Sequence, residues 1–178
     1  MRPHPLTMAT QVQTYVPPSD VALGPMVIGA SEKGLIWLGF MSDDTPPGVA
    51  AGAEPGPYTR RCADQLDDYF AGQRETFDLT LTPDGTPFQQ RVWQALADIP
   101  YGETRSYRDI ATAIGAPNAV RAVGAANGRN PLALIVPCHR VIGSNGTLTG
   151  YAGGMARKAW LLEHESRHSM TPEFALRG

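Results

Sequence analysis

Cysteine and lysine are scarce in this chain of 178 residues, with two of each against 13 arginines. The cysteines, Cys62 and Cys138, lie far apart, and neither belongs to a C-x-x-C pair or a Cys/His cluster with zinc-ligand spacing. That argues against a structural metal, so neither metal nor cofactor is expected. No apolar run approaches the roughly 20 residues that cross a bilayer. The opening Met1-Arg2-Pro3-His4-Pro5 lacks the apolar stretch of a signal peptide. An intracellular, cytoplasmic protein is expected, with both thiols reduced. The arginine excess and plentiful alanine and glycine point to a high-GC bacterial source.

An apolar share of 42% is ample for a core. The net charge of −2 conceals an asymmetry. Residues 1–85 carry 5 Lys+Arg against 11 Asp+Glu, whereas residues 86–178 carry 10 against 6. A basic half rich in arginine suits phosphate contact, because the planar guanidinium donates two hydrogen bonds at once. It equally describes an ordinary solvated surface.

Two domains are expected, 1–85 and 86–178. In the first, residues 1–15 read as a loose lead-in. The runs 21–28 and 35–40, separated by Gly29-Ala30-Ser31-Glu32-Lys33-Gly34, read as a hairpin. Residues 42–57, with four prolines and three glycines, read as a loop. Cys62, Leu66, Tyr69 and Phe70 fall at near-helical spacing, which makes Cys62 a packing residue. Residues 75–81 read as a further strand. This is a small α+β cap domain without an evident chemical constellation.

In the second domain, Thr86 as N-cap and Pro87 at the first helical position start a helix whose stripe is Phe88, Val92, Ala95 and Leu96. Ser106 caps another, with Tyr107, Ile110, Ala111 and Ile114 on one face. After Gly115-Ala116-Pro117-Asn118 comes a short helix over 119–127, with Val120 and Val123 inward and Arg121 outward. Two short helices about a tight glycine turn fit a helix-turn-helix, and also any αα-hairpin. The small residues Ala119, Ala122, Gly124, Ala125 and Ala126 would let the second helix enter a groove closely. A final helix spans about 155–165.

The chain then has one place where chemistry concentrates. Ile135-Val136-Pro137-Cys138-His139-Arg140-Val141-Ile142 sets a thiol, an imidazole and a guanidinium side by side between apolar flanks. A buried structural cysteine is one reading. The other is a nucleophile, its thiolate favoured by His139, by Arg140, or by backbone N–H groups if Pro137 opens a helical turn. A histidine in that role needs an orienting partner, for which Glu165 and Asn130 are both candidates.

Pro137-Cys138-His139-Arg140-Val141-Ile142 resembles the active-site signature of the O6-alkylguanine-DNA alkyltransferases, the methylated-DNA–protein-cysteine methyltransferases. The likeness extends in order and spacing to Ile99-Pro100-Tyr101-Gly102-Glu103-Thr104 with Ser106-Tyr107, Arg121-Ala122-Val123-Gly124, Asn130-Pro131, Gly150-Tyr151 with Gly153-Gly154, and Trp160-Leu161-Leu162 with Glu165. It is strong over 88–165 and weak over 21–81. The resemblance implies direct DNA repair: one-time transfer of a methyl or small alkyl group from guanine O6, and from thymine O4, to Cys138. It makes His139 the proton acceptor through a water, Glu165 its holder, and Asn130 a bridge from the helix turn to the active-site segment. Arg121 would fill the gap left by a nucleotide flipped out through the minor groove. Tyr107 would crowd the adjacent phosphate and donate toward guanine N3. Backbone groups of Val141 and Ala152 would read the base edge, and Arg108 and Ser144 would face the DNA backbone. The implied partner is double-stranded DNA, bound by a monomer able to cluster on it. Two departures stand out: the cysteines and histidines of the family's zinc-binding variant are missing, and Ala133 stands where some members carry a proline lining the alkyl pocket. A non-catalytic lesion binder would not need the thiol, and a cysteine hydrolase would not need the paired helices or the basic half.

Overall fold

The computed structural model describes residues 4–41, 53–148 and 150–169. The chain divides into two compact units, Met1–Asp84 and Gly85–Gly178. The first is a small antiparallel sheet with a helix, and the second is mostly helical. Among the described residues no helix is long and apolar enough to cross a membrane.

In the first unit, strands β1 (Gln11–Tyr15), β2 (Met26–Ser31) and β3 (Gly34–Phe40) form one sheet in that order. β2 is central, and Met26, Val27, Ile28 and Ala30 are all buried, as befits a strand covered on both faces. The turn is tighter than the sequence suggests, because β2 continues through Ser31 and only Glu32 and Lys33 lie between the strands. The lead-in is ordered too. A 3₁₀ turn at Pro5–Met8 and β1 occupy it, with Leu6 buried against Val12 and Val27. Helix α1 (Pro57–Phe70) buries Cys62, Leu66, Tyr69 and Phe70, matching the helical spacing read for them. The expected loop at 42–57 falls largely outside the described residues.

No strand forms at 75–81. Only Leu81 bridges the sheet, beside Leu35. The reason lies on α1: the Gln65 side-chain amide donates to Asp78 O and accepts from Asp78 N, both at 2.9 Å. A side chain thus occupies the backbone groups that a neighbouring strand would have used.

In the second unit, helix α2 (Pro87–Ala97) starts in a capping box between Thr86 and Gln89 and buries Val92, Trp93 and Leu96. Ser106 and Asp109 make another capping box for α3 (Tyr107–Ala113). Gly115 takes a left-handed φ of 76° in the turn that leads to α4 (Val120–Gly128). Arg91 of α2 donates to Ile114 O and ties that turn down. The two-residue strands β4 (Arg105–Ser106) and β5 (Val141–Ile142) pair in parallel, Arg105 with Val141 and Ser106 with Ile142. The start of α3 is therefore hydrogen-bonded to the segment that follows Cys138. Helix α5 (Met155–His168) closes the unit and buries Lys158, Leu161, His164 and Glu165.

Candidate active site

The thiol is delivered by a tightly coiled segment. Ile135 N donates to Ala133 O at 2.8 Å across Leu134, whose φ is 68°. This is the γ-turn of the rarer, strained kind. Cys138 N then donates to Val136 O at 2.8 Å across Pro137, at φ −81° and ψ 66°, an inverse γ-turn. Asn130 holds both ends of the coil. Its Nδ2 donates to Val136 O at 2.7 Å, and its Oδ1 accepts from Leu132 N at 3.0 Å. Buried Leu132, Leu134 and Val136 anchor the apolar side. From there Cys138–Arg140 makes one 3₁₀ turn.

Cys138 is 7% exposed, and His139 and Glu165 are 0% and 1% exposed. His139 Nε2 lies 2.7 Å from Glu165 Oε2. A carboxylate only accepts, so Nε2 carries a proton and donates it to Glu165. The other ring nitrogen, Nδ1, is buried and makes no hydrogen bond within the protein. Of the two orienting partners left open by the sequence, Glu165 meets the imidazole and Asn130 meets the backbone around the thiol.

Arg140 joins the same carboxylate. Its Nε donates to Glu165 Oε1 at 2.7 Å and its Nη2 to Oε2 at 3.0 Å, while Nη1 reaches Ile99 O at 2.7 Å. Its guanidinium carbon stands 5.6 Å from the centre of the Tyr101 ring. Arg140 therefore neutralises Glu165 and does not serve as a direct partner of the thiol. Burial works to raise the Glu165 carboxyl, but His139 and Arg140 outweigh it and hold it well below the ordinary carboxylate range.

Burial pushes the Cys138 thiol up, and several neighbours oppose it: the Asn130 side chain, the Lys158 charge and the backbone N–H groups of Cys138 and His139. Lys158 is one of the two lysines in the chain and is 0% exposed. Its Nζ donates to Val141 O at 2.5 Å. Burial lowers its pKa, and the nearby Cys138 works the other way. The phenol of Tyr151 is pushed well up, first by burial and then by Cys138. Cys62, in the other unit, is pushed up to about 12 by burial alone, as an inert packing residue would be.

The structure thus joins His139, next in the chain to Cys138, to Glu165, and sets Asn130 on the backbone that leads to the thiol. Nothing local in the sequence marks Lys158 as part of this cluster or pairs Arg140 with Glu165. Tyr107 opens α3, and its Oη lies 3.5 Å from Gly150 O. Its ring edge is 3.9 Å from where a Cβ on Gly124 would stand. Arg121 on α4, Arg108 on α3 and Ser144 in the loop after β5 are exposed. Val141 is buried and Ala152 is exposed. No cluster of three or more His, Cys, Asp or Glu able to hold a metal occurs among the described residues.

This arrangement can be set beside known proteins. Residues 87–167 match the 6-O-methylguanine DNA methyltransferase DNA binding domain, and residues 14–83 match the ribonuclease-like domain of the same proteins. The methylated-DNA–protein-cysteine methyltransferase of Methanosarcina barkeri is 51% identical over 147 residues, which span 82% of this chain and 93% of that one. Its counterpart from Mycobacterium tuberculosis is 52% identical over 147 residues, 82% of this chain and 88% of the relative. The crystal structure of Mycobacterium tuberculosis OGT in complex with DNA has a TM-score of 0.79 at 46% identity, covering 93% of this chain and 99% of that one. On the strength of both domains and of relatives more than half identical along most of its length, the chain belongs to the 6-O-methylguanine DNA methyltransferase family.

Proposed function

We propose that this protein repairs DNA by moving a methyl or small alkyl group from guanine O6, and from thymine O4, onto Cys138, once per molecule. The observation that carries this reading is the buried chain Glu165–His139 beside Cys138, with Nε2 committed to the carboxylate and Nδ1 buried without a partner in the protein. His139 Nδ1 takes the thiol proton through a water, and Glu165 balances the imidazolium. The sulfur attacks the alkyl carbon in line, a C–S bond forms, and the C–O6 electron pair stays on the base. The base regains neutrality by accepting a proton from Tyr107, which the proton removed from Cys138 balances. A thioether does not hydrolyse readily, so the thiol is not regenerated.

A guanine O6 lies inside the base stack, so the base has to be rotated out to meet a buried sulfur. In this reading α3 and α4 act as a helix-turn-helix in the minor groove. The exposed Arg121 enters the vacated space. Tyr107 crowds the neighbouring phosphate. Backbone groups of Val141 and Ala152 read the base edge, and Arg108 and Ser144 touch the DNA backbone. Gly124 and Gly128 support close approach: a Cβ on Gly124 would meet only the Tyr107 ring within 4 Å, and one on Gly128 would meet nothing. The protein works as a cytoplasmic monomer on duplex DNA and can cluster along it. No cofactor enters the reaction.

Intact-mass measurement after incubation with an oligonucleotide containing O6-methylguanine tests the proposal. One added methyl on the peptide containing Cys138 is expected. An unchanged mass with unchanged oligonucleotide would sink it.

A further inference from the structure

By its own sequence α4 is a poor helix. Its nine residues include Gly124 and Gly128, no side chain caps its start at Ala119, and its first turn holds no acid. Glycine ranks near the bottom of helix formers, and a helix this short does not persist alone in water. Its order comes from outside. Val123, Ala126 and Asn127 are buried, and the indole Nε1 of Trp93, on α2, donates to Ala126 O at 2.9 Å. That carbonyl lies in the last turn, where helical partners run out. It also receives the Arg129 N–H at 3.1 Å. The neighbouring Asn127 side-chain Oδ1 is buried and has no partner. The indole is itself wedged. A Cβ built on Gly85 would stand 2.5 and 2.6 Å from two carbons of the Trp93 ring.

We infer that Trp93 is a positioning residue for α4: its indole N–H clamps the helix end to α2, so that Arg121 stands rigid when duplex DNA presses against it. This rests on the proposed reaction, in which α4 carries Arg121 into the duplex. The indole makes no hydrogen bond to the Cys138 cluster. Its loss therefore separates reaction on DNA, which needs a firm α4, from reaction with a free base, which does not.

Two replacements test this. Trp93→Phe keeps an aromatic ring and removes the donor, whereas Gly85→Ala keeps Trp93 and displaces its ring. Single-turnover alkyl transfer is measured from an O6-methylguanine duplex and from free O6-methylguanine, alongside hydrogen exchange of residues 120–128. Both variants are expected to react about 5- to 10-fold more slowly with duplex, the size of one lost hydrogen bond, and at the wild-type rate with free base. The α4 amides should exchange faster by a similar factor while α5 keeps its protection. Equal losses on both substrates, or an undiminished duplex rate with α4 still protected, would overturn the inference. If either replacement unfolds the protein, benzothienylalanine at position 93 preserves the ring shape and deletes only the N–H, and its rates decide. Wild-type protein that reacts with neither substrate would overturn the proposed reaction, and the exchange of α4 would then judge the clamp by itself.

Discussion

Glu165 is where two hydrogen-bond systems meet, and Glu165→Gln tests both. The carboxylate accepts from His139 Nε2 at 2.7 Å and from Arg140 Nε and Nη2 at 2.7 and 3.0 Å. A glutamine offers one oxygen for these three donors and turns an NH2 group against one of them. Removing one partner of a buried ion pair typically costs about 3–5 kcal/mol. Arg140 keeps Ile99 O and the Tyr101 face, which places the expected loss near the lower end, about 3 kcal/mol. With a urea slope of about 1–3 kcal/mol/M, the midpoint near neutral pH should fall by roughly 1–3 M. The pH dependence carries a definite sign. The folded carboxyl is held well below its unfolded value of about 4.3. Stability from such a group is complete above the unfolded value and is lost as pH falls toward the folded one. The share of the gap between wild type and variant that comes from the carboxyl should therefore be complete above about pH 5 and shrink below about pH 4. A gap that persists unchanged at pH 3, or widens there, would refute the assignment of Glu165 as a buried, doubly paired carboxylate.

Cys138→Ser should abolish methyl transfer while duplex binding, measured by fluorescence anisotropy, remains near wild type. Arg121→Ala should slow the duplex reaction by about 10-fold or more, as loss of an intercalating side chain raises the unstacking cost, and leave the free-base reaction alone; equal losses would argue against its role. Lys158→Met keeps the stem and removes the charge, so thiolate formation at Cys138 should become harder and the pH profile of iodoacetamide alkylation should move to higher pH. A profile that moves lower would show that the lysine does not support the thiolate. In the native protein Cys62 should resist thiol reagents near neutral pH and react only after denaturation, since its thiol is pushed up to about 12.

What could be read from the sequence follows from the kind of force involved. The caps at Thr86 and Ser106 and the packing spacing of Cys62, Leu66, Tyr69 and Phe70 are local patterns, and the structure has them. The strand expected at 75–81 does not form, and in its middle the Gln65 side chain takes both the N–H and the carbonyl of Asp78. Strand propensity has no knowledge of such competition. The lead-in failed for a related reason: β1 exists because β2 pairs with it through Gln11↔Ala30 to Tyr15↔Met26, a contact that no local composition signals. Lys158 was passed over because a lysine on an amphipathic helix ordinarily faces solvent. Its burial is explained by Val141 O and the thiol, both contributed by a segment distant in sequence. Trp93 was missing from the expected stripe of α2, because a stripe names a face and not the carbonyl at the end of another helix.

The same geometry bears on why a protein that reacts once would bury its nucleophile. An exposed low-pKa thiol would be consumed by any passing electrophile or oxidant, and here nothing restores it. Burial holds the Cys138 thiol up in the resting protein, while Asn130, Lys158 and two backbone N–H groups work in the opposite direction. A flipped base would bring the electrophile to the sulfur, and His139, backed by a carboxylate that Arg140 keeps ionised, would then have a reason to accept the proton. Selectivity in this arrangement comes from access and timing more than from the intrinsic reactivity of sulfur. One consequence is measurable: small electrophiles should alkylate Cys138 slowly at neutral pH, and a duplex carrying the lesion should react far faster at equal concentration. Comparable rates would mean that the thiol is activated at rest and that its burial does not protect it.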